Sequence, residues 1–279
     1  MPYRIVEKSY LAENVVSLWI EAPQVVKKRK AGQFIILRPA EHSERIPLTI
    51  AGVRPQEGTL RLIVQTVGKT TRDLAALEPG EFVRDLAGPL GHPTPVTQYG
   101  TVACVGGGIG VAPLLPIAQA MKDAGNHVVS IIGARTKALL ILEDDMRAVS
   151  DELLVATDDG SYVRKGFVTD VLTERMARSP KIDFAVAIGP VPMMKAVAQV
   201  TRAANIPTIA SLNTVMIDGT GMCGGCRVTV GGAVKYTCVD GPEFDAHQVD
   251  FDELQRRLGM YREHEQQQRE ACKIGLPHA

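Results

Sequence analysis

Three of the five cysteines fall between positions 223 and 238, and an aspartate precedes them at 218. Four residues separate Asp218 from Cys223, two separate Cys223 from Cys226, and eleven separate Cys226 from Cys238. A C-x4-C-x2-C run with a distant fourth cysteine is a spacing that holds a two-iron, two-sulfur cluster. This chain carries it with Asp218 in the first place. Soft thiolate sulfur is the usual donor to such clusters, and a carboxylate oxygen is a harder donor that also binds iron. Gly219, Gly221, Gly224 and Gly225 suit a loop that needs unusual backbone angles close to an inorganic core. The competing reading is a structural zinc on Asp218, Cys223, Cys226 and Cys238. Zinc ribbons usually carry two paired Cys-x2-Cys knuckles, and one is present here, so the spacing favours iron and sulfur. Cys104, inside an apolar run, reads as a packing residue, and Cys272 has no assigned role.

Three further segments have the chemistry to hold phosphorylated cofactors. Arg45-Ile-Pro47-Leu48-Thr49 opens an apolar strand, where a guanidinium can pair with a diphosphate and a hydroxyl or amide can bond a flavin ring. Val64 and Gln65 end another apolar run. Gly68-Lys69-Thr70-Thr71 then precedes a helix-like Asp73 to Leu77, and amides at a helix start attract phosphate. The third segment, Gly106 to Pro113, includes Gly107, Gly108, Ile109 and Gly110 between a buried strand and a helix, where a dinucleotide diphosphate can approach the backbone. Asp158 and Asp159 follow a later strand and could accept bonds from ribose hydroxyls, favouring NADH over NADPH, or could equally cap the segment that follows. Arg135 follows another strand and could instead favour a phosphate. The Gly189-Pro190 turn is a further expected wall. Glu143 reads as a helix cap before a nicotinamide contact. His247 reads equally as an interface residue or a surface histidine.

Positioning these groups requires particular elements. Residues 1–97 read as short strands punctuated by Gly and Pro, which implies an antiparallel β-barrel. In residues 98–210 apolar runs alternate with helical patterns, which implies an α/β parallel-sheet nucleotide-binding domain. Strands are expected at 101–105, 127–132, 153–156 and 184–188. Helices are expected at 113–124, 143–149, 166–176 and 192–204. Residues 211–250 form a small Cys-rich unit with a hairpin through Gly231-Gly232 that returns Cys238 toward Cys226. Residues 251–279 read as a helix, with Leu254, Leu258 and Tyr261 on one face, and a loose tail.

Composition bounds the rest. The chain has 279 residues, 31 Lys plus Arg against 31 Asp plus Glu, and 45% hydrophobic residues. Zero formal charge gives no footprint for nucleic acid or an anionic membrane, and Lys27-Lys28-Arg29-Lys30 reads as a solvated loop. The start lacks the charged-then-apolar pattern of a signal peptide, and no apolar run reaches the ~18 residues of a membrane span. A cytoplasmic location is the expectation.

The order of barrel, Arg-x-Pro-Leu-Thr, Gly-Lys-Thr-Thr and Gly-Gly-Gly-Ile-Gly-x-Ala-Pro resembles the ferredoxin–NADP reductase superfamily. That resemblance implies FAD on Arg45, Pro47, Leu48, Thr49, Val64, Gln65 and Gly68 to Thr71, with Leu48 where the superfamily carries a flavin-stacking tyrosine. The whole chain resembles a branch related to the dihydroorotate dehydrogenase electron-transfer subunit. Asp-x4-Cys-x2-Cys and Cys238-Val-Asp-Gly-Pro-Glu-Phe-Asp-Ala-His247 look closer to the small subunits of NADH-dependent reduced ferredoxin:NADP oxidoreductases. The resemblance implies an NAD(P)H-dependent iron–sulfur flavoprotein with FAD, NAD(H) and a [2Fe–2S] cluster. Its expected partner is a larger subunit carrying FAD and [4Fe–4S] clusters, where ferredoxin and NADP react. The cofactors supply the chemistry, so no catalytic side chain is expected. The dihydroorotate role, and a zinc- or flavin-bearing regulatory module without turnover, remain the alternatives.

Overall fold

Alternating apolar and polar side chains over the first hundred residues become two antiparallel sheets in the computed structural model, which describes residues 3–260. The elements follow as β1 (Tyr3–Ala12), β2 (Val15–Glu21), α1 (Pro23–Lys28), β3 (Phe34–Arg38), β4 (Ile46–Thr49), β5 (Gly52–Arg54), β6 (Thr59–Gln65), α2 (Lys69–Ala76), β7 (Phe82–Val83) and β8 (Asp85–Leu90). One sheet has the order β5-β6-β2-β1-β7 and the other β4-β3-β8. Both close over one core, in which Leu18, Ile20 and Leu62 of the larger sheet meet Ile35 and Leu37 of the smaller. The expected barrel takes this form. Lys27 and Lys28 were expected in a loop but lie in the last turn of α1, where cations face the negative end of the helix dipole.

The second unit runs β9 (Thr101–Gly107), a 3-10 turn at Gly108–Gly110, α3 (Val111–Asp123), β10 (His127–Ala134), α4 (Glu143–Ala148), β11 (Glu152–Thr157), α5 (Val168–Met176), β12 (Phe184–Ile188), α6 (Val191–Ala203) and β13 (Thr208–Ser211). These five strands are parallel in the order β11-β10-β9-β12-β13. Strand β9 alternates Val102 and Cys104 toward α3 with Ala103 and Val105 toward α5 and α6, so helices cover both faces. Burial pushes the Cys104 thiol up to about 12, as befits a packing residue. Val15, Ala51 and Ile63 of the barrel join the α3 face, making one continuous core between the two units.

The remaining elements are β14 (Arg227–Val230), β15 (Ala233–Tyr236), α7 (Thr237–Asp240), β16 (Glu243–Asp245) and α8 (Phe251–Leu258). β14 and β15 form the expected hairpin, turning at Gly231 and Gly232, both with positive φ. β16 leaves that unit and pairs antiparallel with β13 as the sixth strand of the parallel sheet. Phe251 and Leu254 anchor α8 on the nucleotide-side core. Tyr261, Cys272 and the tail lie outside the described residues. Among the described residues no helix is long and apolar enough to cross a membrane.

Two carboxylates, one half-buried and one buried, tie these layers together. At the N-terminal end of the parallel strands, the fully buried Arg175 donates from Nε and Nη2 to both oxygens of Glu152, at 2.9 and 2.8 Å. Arg175 thereby holds the Glu152 carboxyl down to about 2, although partial burial works the other way. Glu152→Ala should leave the guanidinium uncompensated and cost about 3 kcal/mol, read as a lower denaturant midpoint. Between barrel and sheet, Thr94 donates its amide to the Ala31 carbonyl and its hydroxyl to Glu243 Oε1, at 3.0 and 2.7 Å. Glu243 Oε2 is buried with no partner, and burial pushes this carboxyl up from 4.5 to about 7. A raised carboxyl favours folding while protonated, and that contribution fades as pH rises through the window from 4.5 to about 7. The melting-temperature difference between parent and Glu243→Gln should therefore fall across that window and level off above it.

Candidate functional site

The loop from Asp218 to Cys226 is shaped by glycines in the left-handed region, at Gly219, Gly221 and Gly224. Gly219 leaves no room for a side chain, since a Cβ there would stand 2.8 Å from Leu90 and 2.9 Å from Ile36. Asp218 folds its carboxylate into the loop. Its Oδ1 accepts from the Thr220 amide at 2.7 Å and its Oδ2 from the Cys223 amide at 2.9 Å. These amides, Thr220 first, hold the Asp218 carboxyl below the usual range. Cys226 and Cys238 are buried with their sulfurs 3.2 Å apart, because the Thr237 amide and hydroxyl bond the Cys226 carbonyl at 3.1 and 2.9 Å. Burial, then the Cys226 sulfur, pushes the Cys238 thiol up to about 12. Cys223 is exposed at the rim.

The donors thus come as two pairs, Asp218 with Cys223 and Cys226 with Cys238. Two irons, each taking two protein donors, suit such an arrangement. A tetrahedral zinc needs donors converging on one point. Among the described residues no three His, Cys, Asp or Glu side chains converge on one point for either metal, so the choice between them rests on the spacing of the donors. The donor chemistry fits a two-iron cluster.

The cluster loop rests on the strand that also carries the flavin segment. Alternation on β3 sends Ile35 and Leu37 into the barrel core, and Phe34 and Ile36 outward against Met216, Cys226 and Cys238. Register places Thr49 opposite Phe34 and Pro47 opposite Ile36, on that same outer face. Leu48 points the other way and packs on the barrel core, so no flavin stacking comes from it. Arg45 and Asp218 line one cleft of about 550 Å³, with Ile36, Arg38 and Arg84 also in its wall. Val64 is buried on β6 and Gln65 is half-exposed at its end. Gly68 caps α2, exchanging bonds with the Thr71 hydroxyl, donated by the Gly68 amide at 3.0 Å and returned to its carbonyl at 3.0 Å. Lys69, Thr70 and Thr71 were expected in the turn before that helix and instead form its first turn. The start of α2 still offers first-turn amides to which a phosphate could bond.

The glycine turn follows β9 at the point where the strand order reverses, between β9 and β12. The glycines divide the work. A Cβ on Gly107 would collide with Met193, and one on Gly110 with the Ile188 carbonyl. Gly108 has φ +55 and open space beyond it, so it is the position a diphosphate can approach. Ile109 is half-buried against the α3 face. Gly189 packs on Met193 and closes the turn from the β12 side.

Arg135, Asp158 and Asp159 sit together where β10 and β11 end, the Asp158 amide donating to Ala134 at 3.1 Å and the Asp159 amide to Arg135 at 3.2 Å. Asp159 spends its carboxylate on the Ser161 amide at 2.9 Å, whereas that of Asp158 is exposed and without a partner among the described residues. Glu143 accepts from Arg147 at 2.7 Å, as a helix-end residue does. His247 bonds Thr201 Oγ1 at 3.0 Å and passes its carbonyl to Arg202, so it joins β16 to α6. Sequence reasoning missed Phe167, 61% exposed ahead of α5, whose next residue Val168 packs on Gly133 at the end of β10. It offers a flat apolar face one strand away from the dinucleotide turn, since Gly133 pairs with Gly107. An aromatic between a glycine and a helix start was the available signal.

Comparison with known proteins agrees with this layout. Residues 104–199 match the oxidoreductase NAD-binding domain, and residues 213–250 match the iron–sulfur cluster binding domain of dihydroorotate dehydrogenase B. A Thermotoga maritima homolog of the dihydroorotate dehydrogenase B (NAD(+)) electron transfer subunit is 49% identical over 94% of this chain and 92% of its own. The electron transfer subunit from Bacillus caldolyticus is 37% identical over 88% of this chain and 96% of its own. A solved chain of NADH-dependent reduced ferredoxin–NADP oxidoreductase superposes with a TM-score of 0.91 at 47% identity, covering 97% of both. The Amycolatopsis cytochrome P450 reductase GcoB shares the fold, with a TM-score of 0.61 at 22% identity over 74% of this chain and 66% of that one. The chain belongs to the family of dihydroorotate dehydrogenase B-type electron-transfer subunits, oxidoreductase flavoproteins whose cofactors are FAD, NAD(H) and a [2Fe–2S] cluster.

Proposed function

We propose that this chain is the small subunit of an NADH-dependent reduced ferredoxin:NADP oxidoreductase. When bound, the cofactors supply hydride exchange between NAD(H) and FAD and single-electron transfer through the cluster. The chain's own residues bind and orient. Arg45 and the first turn of α2 would hold the flavin diphosphate, and Thr49 would meet the flavin ring. Gly108 would admit the nicotinamide dinucleotide, and Asp158 would take its ribose. Asp218, Cys223, Cys226 and Cys238 would hold the cluster on the face of β3 that the flavin segment shares.

The observation that carries the reading is Asp218 in the first donor place, on a loop otherwise of ferredoxin spacing. The 47% identical solved chain supports it. The expected partner is a larger subunit with FAD and [4Fe–4S] clusters, where ferredoxin and NADP react. Six of the thirteen exposed large hydrophobic side chains of the described residues lie between Val215 and Val239, with Met222 88% exposed. Such a concentration around the cluster loop suits a partner's docking face. The second reading, a dihydroorotate dehydrogenase electron-transfer subunit, is favoured by the printed names of the Thermotoga and Bacillus relatives.

Co-purification from the native host separates the two. A partner rich in four-iron clusters supports the proposed reading, and a dihydroorotate-oxidising partner overturns it. The purified chain should hold about two irons and two acid-labile sulfides, and stoichiometric zinc in their place would overturn the redox reading. Asp218→Cys should keep a two-iron cluster with an altered spectrum and potential. An unchanged spectrum would reduce Asp218 to a cap for the Thr220 and Cys223 amides. Asp158→Ser should lower the preference for NADH over NADPH about tenfold, the worth of one charge-assisted hydrogen bond. Asp159→Ser should leave that ratio nearly unchanged, and steady-state kinetics with both cofactors reads the difference.

A further inference from the structure

The two glycines between Cys223 and Cys226 are gripped from outside by two guanidiniums on different elements. Arg227, the first residue of β14, donates from Nη1 to the Gly224 carbonyl at 3.1 Å. Arg257, in the last turn of α8, donates from Nη2 to the Gly225 carbonyl at 3.2 Å. Neither bond closes a regular element. Arg257 reaches across thirty-two positions of sequence to make its contact, and its helix is set up for the reach. Phe251 and Leu254 fix α8 on the core, the Asp250 carboxylate caps its first turn through the Glu253 amide at 2.8 Å, and the Asp250 amide ties it to Thr229 of β14 at 2.9 Å. This helix lies beyond residues 213–250, the extent of the match to the cluster-binding domain.

A trans peptide is planar, so its carbonyl and its N–H point to opposite sides. Turning the Gly224 carbonyl out to Arg227 turns the Gly225 N–H inward, and turning the Gly225 carbonyl out to Arg257 does the same for the Cys226 N–H. Neither N–H has an acceptor among the described residues. Gly225 stands on the inner side of the loop, where a Cβ would be 3.6 Å from the Cys223 sulfur. A cation on the carbonyl oxygen also polarises the same peptide, strengthening its N–H as a donor.

We propose that Arg227 and Arg257 are positioning residues that aim the Gly225 and Cys226 amides at the cluster sulfurs and raise its reduction potential. The inference rests on the cluster reading above. The reduced cluster carries one more electron and one more negative charge than the oxidised one. Inward N–H dipoles backed by two cations stabilise that added charge, so the equilibrium moves toward the reduced form.

The test is an EPR-monitored redox titration of the full holo-chain, parent against Arg257→Gln, Arg257→Lys and Arg227→Gln. Each Gln variant should keep its iron and sulfide content and its melting temperature. Each should lower the ratio of reduced to oxidised cluster at fixed potential about tenfold, a shift of about 59 mV for one electron. Arg257→Lys retains a cationic donor and should titrate close to the parent. Unchanged potentials in both Gln variants would overturn the inference while leaving the cluster reading intact. Should Arg257→Gln fail to fold, Arg227→Gln on the exposed hairpin decides by the same measurement. A parent chain without iron or acid-labile sulfide would overturn the cluster reading and this inference together.

Discussion

The cysteine loop and the neighbouring β4 segment both depend on the alternation of one five-residue strand. β3 turns Ile35 and Leu37 into the barrel and Phe34 and Ile36 outward onto Met216, Cys226 and Cys238. A shift of one residue would exchange the two sets and pull the cysteine loop off its platform. The barrel side holds that register firmly, because Ile35 and Leu37 are fully buried. The cluster loop therefore inherits its position from barrel packing nearly two hundred residues away in sequence. The flavin segment inherits the same position through β4, which pairs with β3 along its whole length. The spacing between the β4 segment and the cysteine loop is thus a property of one small sheet.

The parallel sheet makes a second, independent set of positions. Reversal of strand order between β9 and β12 opens the crevice that the glycine turn lines. The glycines there are mostly concerned with packing, and one of them with access. Glu243 and Thr94 couple this crevice to the barrel, since a residue of the sixth strand is bonded to the linker that leaves the barrel. A carboxyl without a second partner at such a seam is costly, and its raised proton affinity is the physical sign of that cost.

Much of this was legible in the residues. The expected strand over 184–188 agrees with β12 residue for residue, and that over 101–105 gains only two glycines, because runs of buried β-branched side chains admit few alternatives. The hairpin through Gly231-Gly232 was equally plain. Short elements were not: α1, β7 and β16 span too few residues to show a period. At the site, residue types announced the cofactors, but roles within a motif needed coordinates. Asp158 and Asp159 are indistinguishable in sequence and differ only because the Ser161 amide occupies one of them. Leu48 stands where the superfamily carries a stacking tyrosine, and only the register shows that its side chain faces the barrel core. Arg257 carried no signal at all, since its target is a backbone carbonyl.

The pairing of β16 with β13 has a consequence for the whole molecule's solubility. A parallel sheet ending at β13 would present an open row of amides and carbonyls, the template on which other chains add strands and aggregate. The three residues Glu243–Asp245 cover that edge. They are delivered by the same segment whose cysteines face the barrel. A chain that failed to order its cysteine loop would thus risk uncovering a sticky margin on a neighbouring domain. Cofactor assembly and protection against self-association are joined in one stretch of backbone.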